Sequence, residues 1–210
     1  MKNFILYTLL IFSLSSYSQD LVTIKHTNYT TTFSKSLKYP IVVEWWETKS
    51  NVACPTPLKR KDQFQSDPQL LKDTNLMSDY VRSGFDRGHM SPSASNLCGG
   101  DKVLTECFYF SNMSPQTHTL NAGDWKSLEM ETRSIATEKD SVHVWCGNIG
   151  VLKKIGSVSV PTKCWKVIYI KKTKKFKAYL FINNTSKPDG IIDNEVSVLF
   201  ISKLTGLTFK

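Results

Sequence analysis

Metal-holding residues are scarce in this chain of 210 residues: four histidines are scattered along it, and no two of its five cysteines form a Cys-x-x-Cys pair. A structural zinc site draws its ligands from such pairs, so one is not expected. Internal repeats, low-complexity stretches and a linker rich in Pro or Gly are missing too. One domain is therefore the reading for this length, which suffices to bury a sizeable core. After the first residues no apolar run approaches the roughly 20 residues that cross a bilayer, so the mature chain is expected to be soluble. Helix-like and strand-like segments do not alternate regularly, which argues against a doubly wound parallel sheet.

What is present is a globular composition, 40% hydrophobic and 11% aromatic. The chain opens with Lys2, the apolar run Phe4 to Leu14, and Ser16-Tyr17-Ser18, which offers small residues at the two positions a signal peptidase reads. This pattern predicts a secretory signal peptide over residues 1–18 and a single domain over residues 19–210. The apolar run is too short for a membrane anchor. Export, to the periplasm or the medium, permits disulfides. The odd count of Cys54, Cys98, Cys107, Cys146 and Cys164 leaves at least one thiol free or paired between chains. The formal charge is +9, and Lys2 is the leader's only charged residue. A basic secreted protein suits polyanionic partners, because phosphate contacts release counterions; solubility alone is the competing reading.

Ile41 to Glu47 is apolar, β-branched and aromatic and reads as a strand. Residues 48–74 hold three prolines among polar residues and read as irregular. Phe108 to Phe110 reads as a short buried strand running into Ser111 to Pro115. Asn121 to Glu138 reads as one helix with Asn121 as its N-cap, on the spacing of Trp125, Leu128, Thr132 and Ile135. Ser141 to Cys146 alternates. Cys164 to Ile170 and Phe176 to Ile182 read as a strand pair joined by the lysine-rich turn 171–175, and Val196 to Leu204 as a final helix stopped at Gly206. The sum is an α+β domain with a mostly antiparallel central sheet flanked by helices. Trp45, Trp46, Trp145 and Trp165 are expected in the core, His143 is expected to be structural, and the lysine turn to be solvated.

The run Asp86-Arg87-Gly88-His89 carries groups that phosphodiester cleavage requires. His89 can take a proton from water near neutral pH. Arg87 can fork onto phosphate oxygens, and Gly88 admits close backbone approach. A second run, Asn121-Ala122-Gly123-Asp124-Trp125-Lys126-Ser127-Leu128-Glu129, offers a neutral carbonyl oxygen suited to a hard cation that keeps most of its waters. Glu129 lies eight residues on, about 80° around a continuous helix, where it can hold a metal-bound water. Taken alone, each run reads as a bland feature: a surface or structural histidine, an N-cap, a surface carboxylate. His118 reads as a polar loop residue.

Together these runs, with Phe108-Tyr109-Phe110-Ser111-Asn112-Met113-Ser114-Pro115-Gln116 between them, closely resemble the DNA/RNA non-specific endonuclease family of the ββα-metal (His-Me finger) superfamily. The likeness extends upstream through Arg60-Lys61-Asp62-Gln63-Phe64 and Asp79 to Phe85, and downstream through Trp165 to Ile168 and Thr205-Gly206-Leu207. It spans nearly the whole mature chain. The resemblance implies a Mg²⁺-dependent endonuclease, with Mn²⁺ as substitute, acting on DNA and RNA without strong sequence preference. It implies His89 as the general base, Asn121 as the only direct protein ligand of the metal, and Glu129 as a ligand through water. Arg87 is implied beside the scissile phosphate, and Arg60 as the second phosphate arginine, with Lys59 and Lys61 as competitors. Asn112 is implied to orient the phosphate or the histidine, and Asp86 to shape the strand. One such metal needs no carboxylate cluster, unlike a two-metal site. A protein inhibitor is a further expected partner, and a catalytically inactive nucleic-acid-binding protein on the same fold is the alternative.

Overall fold

The computed structural model describes residues 20–70, 73–184 and 190–210. The leader expected over residues 1–18 lies outside them. The described strands are β1 Leu21–Lys25, β2 Thr30–Ser34, β3 Tyr39–Thr48, β4 Asp86–His89, β5 Met113–Gln116, β6 Ser141–Ile149, β7 Lys153–Ile155, β8 Val158–Val160, β9 Lys163–Ile170, β10 Lys175–Ile182 and β11 Glu195–Val196. Seven of them form one sheet in the order β1-β2-β3-β6-β9-β10-β11, every neighbour antiparallel. β4 pairs with β5, and β7 with β8, as two separate two-stranded sheets.

The sheet is covered on both faces, which is why its central strands β6 and β9 are buried almost throughout. The long helix Asp124–Lys139 lays Trp125, Leu128 and Ala136 on one face, against Val43, Trp45, Val144, Cys146 and Ile168. The C-terminal helix Val198–Thr205 puts Ile201 on the other, against Trp145, Trp165, Val167 and Ala178. The two-residue pleat therefore splits the apolar content of each strand between two cores. This is the helix-flanked antiparallel sheet that the sequence predicts.

The β4–β5 pair lies outside the main sheet and is held to it by polar ties. Ser114 Oγ donates to Asn148 Oδ1 at 2.7 Å, and Asn148 Nδ2 donates to the Pro40 carbonyl at 2.8 Å. Asn183 Nδ2 donates to the Pro115 carbonyl, and its Oδ1 accepts from Thr117 N, both at 2.9 Å. Trp125 Nε1 of the long helix donates to the His89 carbonyl at 3.1 Å. Two short strands and one helix are thus locked together through buried asparagines and a tryptophan.

Several local expectations are corrected. The helix expected over Asn121 to Glu138 is two helices, His118–Ala122 and Asp124–Lys139, broken at Gly123 with φ −98° and ψ −112°. Thr117, not Asn121, caps the first, its Oγ1 accepting from Leu120 N at 3.3 Å. Residues 108–110 are no strand: Phe110–Asn112 forms a 3-10 turn and the strand begins at Met113. A short run of buried aromatics cannot distinguish these states by periodicity. Val196 pairs with Ala178 in an edge strand, and the last helix starts after Ser197, whose Oγ accepts from Phe200 N at 3.1 Å. Gly206 does stop it, in the left-handed region at φ 74°. Trp46 is 43% exposed rather than in the core. Strands β1 and β2, the hairpin β7–β8 and the helix Gly100–Cys107 were not anticipated. Cys54 and Cys98 form a disulfide, while Cys107, Cys146 and Cys164 are free and buried.

Candidate active site

The register of β4 explains the spacing of its motif. Arg87 and His89 share one side of the strand, and Asp86 and Gly88 point to the other. On the first side the aromatic wall of Phe64 and Phe108 receives both residues. The Arg87 guanidinium lies 4.2 Å over the Phe64 ring, and the His89 ring stands edge-on to Phe108 at 4.9 Å. On the second side Gly88 faces Gln116, whose side chain a Cβ would strike. The glycine is required by that close approach, not by an unusual dihedral.

A cavity of about 310 Å³ opens beside this strand. Arg60, Asp62, Phe64, Asp86, Arg87 and Asn121 are among its lining. Neither Lys59 nor Lys61 lines it. Arg60 Nη1 donates to Ser93 Oγ at 3.1 Å and its Nε to Asp62 Oδ1 at 2.7 Å, which aims the guanidinium without burying it. The Asn121 side chain is oriented by Asp86, whose Oδ2 accepts from Asn121 Nδ2 at 2.9 Å and pairs with His118 Nδ1 at 2.8 Å. A carboxylate only accepts, so the amide nitrogen must face it. The carbonyl oxygen of Asn121 is left as the uncommitted end of a residue lining the cavity. That donor type, a single hard oxygen with room for water, fits a magnesium-like ion. Among the described residues no group of three or more His, Cys, Asp or Glu is placed to hold a metal ion.

His89 is 8% exposed, and its Nε2 is buried without a hydrogen-bond partner among the described residues. Burial, and after it the positive charge of Arg60, with a smaller part from Arg87 and Asp62 opposing, lowers its pKa to about 3. The imidazole is therefore a neutral free base across the physiological range. A phosphate between Arg60 and Arg87 would cancel the charge that disfavours the imidazolium, raising basicity when substrate arrives.

Two expected residues stand elsewhere. Asn112 is fully buried. Its Nδ2 donates to the Ser91 and Cys107 carbonyls at 2.9 and 2.8 Å, and its Oδ1 accepts from Ser91 N at 2.9 Å. With its polar atoms committed to backbone, it positions the chain after His89 rather than touching a phosphate. Glu129 is not among the residues lining the cavity; the break at Gly123 removes the continuous helix on which its angle to Asn121 was reckoned. It lies with Lys166, Arg133 and Glu47. Burial raises its pKa to about 7, Lys166 and Arg133 opposing and Glu47 adding.

The sequence reading missed the pairing of Asp86 with both His118 and Asn121. The signal was present, since residues 118 and 121 are one helical turn apart and face the strand together. It also missed Lys166, which is buried, with its Nζ 4.1 Å over the Trp125 ring. An alternating strand gives no hint of a cation on its inner face.

An antiparallel strand pair carrying His89 and Arg87, packed on a helix pair that brings Asn121 to the cavity that Arg87 lines, defines the ββα-metal nuclease architecture. The chain belongs to the DNA/RNA non-specific endonuclease family, whose model matches residues 9–210. It is 29% identical over 206 residues to human mitochondrial nuclease EXOG, covering 88% of this chain and 55% of that protein. It is 30% identical over 207 residues to the nuclease of Serratia marcescens, covering 90% and 75%. Nuclease C1 of Cunninghamella echinulata is 31% identical over 168 residues, covering 70% and 66%. The chain thus spans only about half the length of the mitochondrial relatives. An EndoG chain solved in the EndoG/EndoGI complex superposes with a TM-score of 0.80 at 26% identity, covering 89% of this chain and 84% of that one.

Proposed function

We propose that this chain is an exported, metal-dependent endonuclease that hydrolyses the phosphodiester bonds of DNA and RNA without strong sequence preference. The observation that carries this reading is the cavity itself. It joins two arginines and an uncommitted amide oxygen beside a histidine kept neutral by its surroundings. In it, Arg60 and Arg87 bind the phosphate oxygens and hold the scissile group. His89 accepts the proton of the attacking water. Asn121 would hold Mg²⁺, or Mn²⁺ in its place, and Glu129, which stands outside the cavity lining, would engage the ion only through water. A bound divalent ion supplies charge for the developing negative charge on the phosphate and leaving oxygen. Phosphate contacts carry no direct base information, which accords with low sequence preference. The leader pattern and the Cys54–Cys98 disulfide support export to an oxidising compartment. A protein inhibitor belongs to the same reading, on the ground of the similar EndoG chain, solved in its inhibition complex with EndoGI.

The test is digestion of plasmid DNA and of RNA with Mg²⁺, with and without EDTA, by the purified mature chain. EDTA should abolish cutting. His89→Ala should lower the rate by about 10²- to 10⁴-fold, the usual share of a general base. Full activity of His89→Ala would sink the mechanism. Binding without cleavage under every divalent metal would favour the inactive binding protein.

A further inference from the structure

We infer that Trp46 forms a second nucleic-acid contact, a stacking platform for an unpaired base, on the face of the sheet opposite the long helix. The inference rests on the nuclease reading only for the identity of the polymer. Trp46 alternates with Trp45, which packs under the long helix, so Trp46 emerges on the other face. It remains 43% exposed. His143 of β6 stacks on it at 4.5 Å and 11°, and Trp145 in turn packs on His143 at 3.8 Å. The rings therefore form a buttressed pile whose outer member is the exposed indole.

A groove of about 420 Å³ lies against this pile, where β2 gives way to the loop before it. Several of its polar side chains are already engaged. Asn28 Nδ2 donates to Asn96 Oδ1 at 2.8 Å and its Oδ1 accepts from Asn51 Nδ2 at 3.2 Å. Thr27 Oγ1 donates to Glu106 Oε1 at 3.1 Å, and Glu44 Oε2 accepts from Trp145 Nε1 at 2.9 Å. A ring face can hold any base, whatever groups the base carries on its edge. Positive charge stands next to the groove. Lys171 Nζ lies over the Trp46 ring, 5.7 Å from its centre, and residues 171–175, four of them lysines, are exposed. Glu44 is the acidic group lining the groove. An exposed aromatic beside a lysine cluster is the pairing that holds single strands, the ring taking the base and the lysines the phosphates. Duplex DNA, whose bases are already stacked, has no ring face to offer it.

The experiment measures binding of fluorescein-labelled oligothymidylate in EDTA by anisotropy, for wild type, Trp46→Ala and Trp46→Phe. Plasmid cutting with Mg²⁺ is measured in parallel. Trp46→Ala should bind the single strand about tenfold more weakly, the loss of one base–aromatic stack. Trp46→Phe should recover most of that loss, and both should cut duplex plasmid as wild type does. Replacing Lys171, Lys172, Lys174 and Lys175 by alanine should flatten the salt dependence of single-strand binding. Unchanged affinity in Trp46→Ala overturns the platform. So does an equal loss in both Trp46 variants accompanied by lost plasmid cutting, which would mean that the fold, not the ring, was disturbed. Binding in EDTA needs no catalysis, so a wild type that cuts nothing would defeat the nuclease reading alone.

Discussion

Asp86 carries more than its place in a strand indicates. One of its oxygens meets both Asn121 Nδ2 and His118 Nδ1. Removing it frees the Asn121 amide to rotate, and a ligand free to rotate binds its ion less tightly. Asp86→Ala should therefore raise the Mg²⁺ concentration needed for half-maximal cutting by about 10- to 100-fold, with little change in the rate at saturating metal. A metal titration of the cleavage rate checks this. Glu129 gives a second prediction at the same scale. Its pKa in the folded chain is raised to about 7, from a usual 4.5. Such a group favours the folded state below the lower value and loses that contribution as pH rises through the upper one. Glu129→Gln should hence gain thermal stability relative to wild type between about pH 4.5 and 7, with no gain below. The proton on Glu129 also opposes metal binding, so at subsaturating Mg²⁺ wild-type activity should fall below about pH 7 and recover with added metal. The glutamine variant should lack that recovery. His89, with its lowered pKa, stays neutral throughout this window.

At the scale of elements, the strand that carries Arg87 and His89 is positioned by the groups that grip its C-terminal end. Asn112 ties Ser91 to the end of the helix Gly100–Cys107, and Trp125 holds the His89 carbonyl. Asn112→Ala strands a buried amide and two carbonyls, each costing about 1–3 kcal/mol if left unpaired. The expected outcome is a lowered denaturant midpoint, with activity of the folded fraction reduced because His89 shifts. Lost activity at unchanged stability would instead indicate direct phosphate contact. The break at Gly123 works in a related way. It lets the short helix present Asn121 to the cavity while the long helix turns Trp125 and Leu128 onto the sheet. One straight helix would have to compromise between the two directions.

At the scale of the whole molecule, the Cys54–Cys98 bridge closes a separation of 44 residues, spanning the irregular segment that delivers Arg60 and Phe64 to the cavity. The loop-entropy relation puts its contribution at about 4 kcal/mol, with about 2–4 usual. Cys54→Ser with Cys98→Ser, or reduction of the bridge, should lower the denaturation midpoint accordingly. The other thiols should resist modification in the native state, since burial pushes Cys107, Cys146 and Cys164 each up to about 12. A thiol count before and after unfolding distinguishes the two sets.

Much of the chemistry was local and therefore readable in the chain. The Asp86-Arg87-Gly88-His89 run needs only the two-residue period of a strand to put Arg87 and His89 on one side. The strand pair β9–β10 and the stop at Gly206 follow equally from short-range pattern. The reach of Arg60 into the cavity was readable only as one choice among three basic neighbours. The rest depends on contacts far apart in sequence. Trp45 and Trp46 are adjacent and alike in type, yet one is buried and the other exposed, because the long helix covers only one face at that point. Lys166, on a strand, acts on the charge of Glu129, on a helix, across the interior. The partner of Cys54 was likewise undetermined, since among five cysteines local sequence ranks no pairing above another. Residue type and local period set which groups could act, while long-range packing decided which of them meet, which are buried and what proton each one holds.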